Sequence, residues 1–256
     1  MPTKNKKSLP IPRVGTKAAE NYFSSHISIT RFFNWVLYMA GKMDEMSDIA
    51  HKALVSVEDD ENKKNEMETK WKEKKGMIDE LKYSRQFFLE VILVRYVENY
   101  LNFLSDLLFE IFTQRPETLR SSEKVELSQV LQFNSIDEFV LSAAERKVES
   151  LSYSSFNDLG EYFLDRFDLV LFEESSIPKV IDAIETRNIS VHNRCVINAR
   201  YCKRTGKDRD VIGDRRNLYG DDIEEIKDIF FNAVKSVDKQ TRKKLKVKGV
   251  RFDLSS

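Results

Sequence analysis

Helix breakers are nearly missing from this 256-residue chain: it holds 8 Gly and 5 Pro, and three of the prolines (Pro2, Pro10, Pro12) fall within the first dozen positions. From Thr16 onward almost nothing interrupts a helix, so a mostly α fold is expected. Cysteine is as scarce, with only Cys195 and Cys202. On a single helix these two would stand about 10 Å apart, too far for a disulfide, which fits a reducing, cytoplasmic setting. Charge of one sign is not in excess either: 42 basic residues face 42 acidic ones, against the basic balance of a non-specific DNA-coating protein. No run approaches the roughly eighteen apolar residues of a membrane span, and no apolar segment follows the basic start, so a soluble, unsecreted protein without membrane attachment is expected. No repeat of solenoid length is apparent.

What is present is apolar and aromatic: 41 % hydrophobic content with 17 Phe and 9 Tyr suffices for a packed core. Residues 1–15, rich in Lys and Pro, read as a mobile arm. Residues 16–76 read as a helical extension. Its first helix carries Phe32, Phe33, Val36, Leu37 and Ala40 at helical spacing, with the Met39–Met46 stretch as core, and charged pairs such as Glu66 with Lys70 follow. Residues 77–237 read as an all-α bundle around a central helix with two apolar stripes; Phe87, Val91, Val94, Leu101 and Leu108 mark one, and Leu93, Val97, Tyr100, Leu104 and Ile111 the other. A long helix is expected from Pro178 to Cys202, with the apolar stripe Ile181, Ile184, Val191 and Cys195, and a last one from Ile223 to about Val237. Residues 238–256 read as a basic tail.

The densest chemistry lies on the helix after Pro178, in Glu185-Thr186-Arg187-Asn188-Ile189-Ser190-Val191-His192-Asn193-Arg194. Arg187 is a permanent cation and His192 titrates near neutrality, the pairing that phosphodiester cleavage needs. On an ideal helix the two point about 140° apart, so they share a site only if the helix kinks or two chains contribute. Asn188 stacks one turn before His192, on the same face as Glu185. On the central helix, Glu98 interrupts the stripe between Val94 and Leu101. A carboxylate there needs a cation or water; Arg187 is the expected partner, and a bridge that merely sets helix register fits the same row. Three His and two Cys make no zinc pattern.

These residues carry a family resemblance. Arg187-Asn188-x-x-x-His192, the continuation Val191-His192-Asn193-Arg194-x-Val196-Ile197-Asn198-x-x-Tyr201, and Val97-Glu98-Asn99-Tyr100-Leu101 together resemble HEPN-domain proteins, especially those of bacterial conflict and phage-defence systems, over about residues 85–237. The resemblance implies an α-helical bundle that forms a homodimer. It further implies a metal-independent endoribonuclease, without cofactor, whose site is composed from two facing motifs, with an antitoxin or regulatory protein as a further partner. Arg187, His192, Asn188 and Glu98 would then be catalytic. The alternative is a HEPN module that has lost catalysis and binds a nucleotide or regulates a partner protein. Two departures stand out: Cys195 occupies a position where relatives often have Gly, and Arg194 one where a toxin subfamily has Tyr. For RNA, the basic stretch after the motif offers Arg194, Arg200, Lys203 and Arg204, with Tyr201 to stack on an unpaired base.

Overall fold

The computed structural model describes residues 10–119, 126–152 and 155–254. Ten α-helices run through them: α1 (Lys17–Val57), α2 (Glu61–Glu73), α3 (Met77–Tyr83), α4 (Arg85–Gln114), α5 (Leu127–Val130), α6 (Ile136–Ser152), α7 (Phe156–Phe167), α8 (Ile177–Asn193), α9 (Ala199–Thr205) and α10 (Gly220–Lys244). The only sheet among these residues is the antiparallel pair β1 (Val14–Gly15) and β2 (Val250–Arg251). The fold is all-α. None of its described helices is long and apolar enough to cross a membrane.

The two-stripe pattern places α4 at the centre, because a helix apolar on both sides can bury both only by being surrounded. Leu93, Val97, Tyr100, Leu104, Leu107 and Ile111 are buried on one side, and Tyr96, Phe103 and Phe112 on others. Around it pack α1, α6, α8 and α10. Tyr100 lies flat on Phe230 of α10, ring centroids 4.7 Å apart. Phe163 and Phe167 of α7 join the same core.

Three boundaries differ from those expected. The first half of α1 is no appendage, since Ala18, Ala19, Tyr22, Phe23, Ile29 and Phe33 belong to the core that α4 and α10 build. Its N-terminus is held by two carboxylates from other helices. Asp238 accepts from the Thr16 N–H at 2.7 Å, and Glu110 accepts from the N–H groups of Lys17 at 3.2 Å and Ala18 at 3.0 Å. Negative charge there satisfies orphan donors and complements the helix dipole.

The arm of residues 1–15 is held at its end, where Val14 and Gly15 pair with β2 and the Arg13 carbonyl accepts from the Phe252 N–H; residues 1–9 lie outside the described residues. Gly15 permits that approach, since a Cβ there would stand 2.5 Å from Phe252 Cζ. Nor is 238–256 a free basic tail as far as Leu254. Here α10 continues to Lys244, Arg242 pairs with Asp238 at 3.0 Å, Lys244 with Asp168 at 2.7 Å, and Thr241 and Val247 are buried. Residues buried between the lysines, Val237, Thr241 and Val247, hold this stretch against the bundle.

The Met39–Met46 stretch differs too. Met39, Met43 and Met46 are 37 %, 50 % and 68 % exposed, not core. Beyond Ala40, α1 projects past the bundle and is covered only by α2 and α3 on one side.

Candidate functional site

Helix α8 lies beside α4, and this packing brings the carboxylate that interrupts one apolar row to the cation of the other. Glu98 Oε1 accepts from Arg187 Nη2 at 3.2 Å, the pairing the periodicity called for. Arg187 Nη1 donates to Asn188 Oδ1 at 3.1 Å, and Asn188 Nδ2 donates to Glu185 Oε2 at 3.4 Å. Glu185, whose side chain is 5 % exposed, takes Arg204 of α9 on its other oxygen at 2.6 Å. Arg95 closes the far end by donating to Glu98 Oε2 at 3.2 Å. The chain of contacts runs Arg95, Glu98, Arg187, Asn188, Glu185 and Arg204, three cations against two carboxylates, so one positive charge is left over. Its middle guanidinium is fixed in plane by two acceptors, and Arg187 Nε is buried with no hydrogen-bond partner among the described residues. A guanidinium held this way suits an oxyanion, because little side-chain entropy remains to be lost on contact.

His192 stands outside this network. It is exposed, near the last turn of α8, and no hydrogen bond or ion pair engages it among the described residues. α8 is regular from Ile177 to Asn193, without a kink between Arg187 and His192. One chain therefore does not bring the two side chains to one face.

The long helix expected through Cys202 stops early. Arg194 (φ 51°) and Cys195 (φ 62°) are both left-handed, and the Cys195 N–H returns to the Ile189 carbonyl at 3.0 Å. This is a helix stop usually made by Gly, here made by two side-chain-bearing residues at a cost of order 1–3 kcal/mol each. It explains why Gly suits the position of Cys195. Asn193 Nδ2 braces the turn by donating to the Val196 carbonyl at 2.7 Å. Val196 then bridges Arg215, so that residues 195–216 fold back over α8. Val191, still inside α8, is exposed and not on the buried stripe, which runs through Val180, Ala183, Ile184, Thr186 and Ile189, while Cys195 beyond the stop is buried.

The fold-back changes the part played by the expected RNA contacts. Tyr201 is fully buried and cannot stack on a base. It sits with Ile189, Ile197 and Cys202 in a small second core, and its hydroxyl donates to Asp182 at 2.5 Å. Arg204 is occupied by Glu185. Arg194, Arg200 and Lys203 are exposed and make no ion pair among the described residues.

Asp182 was not singled out from the sequence, yet it organises the fold-back. Besides Tyr201 it takes Lys207 at 2.6 Å and Arg216 at 2.9 Å. Burial acts to raise its carboxyl, but Lys207, Tyr201 and Arg216 outweigh that and hold it below the ordinary aspartate range. Glu90 of α4, also missed, receives Arg215 at 2.7 Å and lies beside Cys195, whose thiol burial pushes up to about 11. The available signal was positional: Glu90 lies two turns before Glu98, and Asp182 one turn before Glu185.

Among the described residues, no group of three or more His, Cys, Asp and Glu is arranged to hold a metal ion. Helices, a central α4 and an Arg–Asn–Glu network on α8 thus define a helical-bundle protein with a charged cluster between α4, α8 and α9. No family model, curated protein or solved structure matches the chain.

Proposed function

We propose that the chain is a HEPN-type endoribonuclease that cleaves RNA as a homodimer, in a toxin or anti-phage defence setting. The observation that carries this reading is the Arg187 guanidinium, aligned by Glu98 and Asn188 on the helix whose end presents an unengaged, exposed His192. Two copies of the motif facing each other would supply the Arg and the His that one regular helix points apart. In the reaction, His192 takes the proton of a ribose 2′-hydroxyl, and the 2′-oxygen forms a bond to phosphorus. The bond from phosphorus to the 5′-oxygen breaks, and that oxygen receives the proton held by the His192 imidazolium, leaving a 2′,3′-cyclic phosphate, a 5′-hydroxyl and neutral His192. Arg187 stabilises the charge gained by the phosphate, with Asn188 and Glu98 as positioning residues. Arg194, Arg200 and Lys203 hold the flanking backbone.

The test is incubation of single-stranded RNA with the full chain in EDTA, comparing wild type with His192→Ala and mapping the product ends. Cleavage with cyclic-phosphate ends, lost in a variant of unchanged fold, is expected. Equal cleavage by both proteins overturns the assignment.

A second reading, a non-catalytic module that binds a nucleotide, is favoured by one observation. An open cavity of about 300 Å³ lies beside α8, lined by Lys179, Lys207 and Arg216 and equally by Asp182, Asp222 and Glu225, with Thr186 among them. Nucleotide binding without RNA turnover in the same assay would decide for it. The larger groove of about 770 Å³ is lined by Glu173, Asp221, Glu224, Glu225 and Asp228, a surface that repels a phosphate backbone.

A further inference from the structure

The groove that repels a phosphate backbone is built to take the opposite charge. It runs between residues 170–173 and helix α10, with a volume of about 770 Å³. Asp221, Glu224, Glu225 and Asp228 follow one another at steps of 3, 1 and 3, so they share one face of α10 over about 10 Å. Glu173 joins them from the other wall, and Phe172, Ile229 and Ala233 add apolar surface. Further along α10 the lining turns neutral, through Asn232, Ser236 and Gln240.

No Lys, Arg or His lines this groove among the described residues. The cations nearest in contact are Lys179, paired with Glu225, and Lys227, paired with Glu224. Two lysines against five carboxylates leave an excess of three negative charges. Helix stability does not account for it. Asp221 complements the dipole at the start of α10, but that effect fades within a turn. Asp221 with Glu225, and Glu224 with Asp228, are like charges four residues apart, an arrangement that costs helix stability.

Sign and spread select the occupant. Converging carboxylates would hold a metal ion, yet no group of three or more is so arranged among the described residues. Nucleic acid and anionic bilayers carry the wrong charge. Carboxylates strung along a groove match cations strung along a chain. Beside the groove lies an apolar pocket of about 270 Å³, lined by Phe156, Leu164, Leu169 and Ile177 with Glu161 as its one charged residue, and sharing Val170, Leu171 and Phe172 with the groove. Leu164, Val170 and Ile177 are 49 %, 50 % and 36 % exposed, so the pocket is open to an entering side chain. A polyamine brings cations but nothing to fill that pocket; a peptide brings both. The walls are set in advance, because the Gln240 side chain accepts from the Val170 N–H at 3.2 Å and donates to the Val170 carbonyl at 3.0 Å. Little ordering is then left to oppose binding.

We propose that the groove and the pocket beside it dock an extended basic segment of a partner protein, with Lys or Arg side chains over Asp221 to Asp228 and an apolar side chain in the pocket. From Asp221 to Gln240 the groove follows α10 for about 28 Å, the span of roughly eight extended residues. The inference does not rest on the ribonuclease reading, since Arg187, Asn188 and His192 line neither surface.

The probe is fluorescein-labelled Lys-Lys-Arg-Lys-Ser-Leu-Ser-Leu, with the same residues in reverse order as a second probe, titrated with the full chain and read by anisotropy. One of the two orders is expected to saturate with a dissociation constant of tens of micromolar or tighter. Glu173→Gln with Asp221→Asn should weaken it about tenfold while the helical circular-dichroism signal is unchanged. Leu164→Glu, or serine in place of both leucines of the peptide, should weaken it by a similar factor. Saturation by neither order overturns the proposal. So does binding that the two amide substitutions leave unchanged, or that the serine peptide or spermine matches, since a site for polycations alone has no use for the pocket.

Discussion

Along α8, the inner residues Asp182, Glu185, Arg187 and Asn188 are all tied to partners, several of them on α4, α9 and the fold-back after the helix. Further along, His192 and Arg194 are exposed and tied to nothing described, and Arg200 and Lys203 of α9 are exposed without an ion pair as well. The contrast is between a polar network whose geometry the fold has already set and a set of polar groups that face solvent. Histidine shows the difference most sharply. His26 is packed between Tyr22, Tyr96 and Phe231, and burial pushes its pKa down to about 4, with Lys227 acting the same way and Glu224 opposing.

The largest expected effect separates the two regions by activity. His192→Ala should lower RNA cleavage by about 10²–10⁴-fold while changing stability by no more than about 0.5 kcal/mol. Arg187→Ala should also lose cleavage, but it strips Glu98 and Asn188 of a partner and should cost about 1–3 kcal/mol in urea unfolding. Equal stability losses in the two variants would break the distinction.

Next in size is the tied region tested alone. Asp182→Ala leaves Lys207, Arg216 and the Tyr201 hydroxyl without their shared acceptor, and should destabilise the protein by about 2–4 kcal/mol, read from the urea midpoint. A loss below about 0.5 kcal/mol would show that the fold-back holds without it.

The buried histidine should then be sensitive to acid. His26 has a folded pKa below its unfolded value near 6.5. The stability it contributes by remaining neutral is full above that unfolded value and drains as pH falls toward about 4. His26→Gln should flatten the stability profile across that window; NMR titration of His26 near 6.5 would contradict the packing argument.

The smallest effect concerns the helix stop. Arg194→Gly removes a side chain from φ 51° and should stabilise by at most about 1 kcal/mol, because relief of the left-handed strain is partly offset by a freer unfolded chain. The same variant should weaken RNA binding modestly if Arg194 holds backbone phosphate.

How much of this was readable beforehand varies residue by residue. Glu98 with Arg187 was legible because a carboxylate in an apolar row has few affordable solutions, and one cation stood on the neighbouring row. The exposure of Met39–Met46 was not, since an apolar stripe reads alike whether it meets its own bundle or another chain. Tyr201 was misjudged because nothing local in Arg194-Cys195 announces left-handed backbone; both are ordinary side chains, and their conformation is imposed by residues 195–216 closing over α8. The burial of Thr241 and Val247 was hidden by the lysines around them.

The amino-acid order alone determined the helical class, the central place of α4 and the identity of the polar residues that must find partners, because each follows from spacing along one helix. Tertiary structure decided which cations are spent within the fold and which stay free, where α8 ends, and which half of α1 is core. Those outcomes depend on contacts between residues distant in the chain, such as Asp182 with Arg216 and Thr16 with Asp238, whose energies no local window contains.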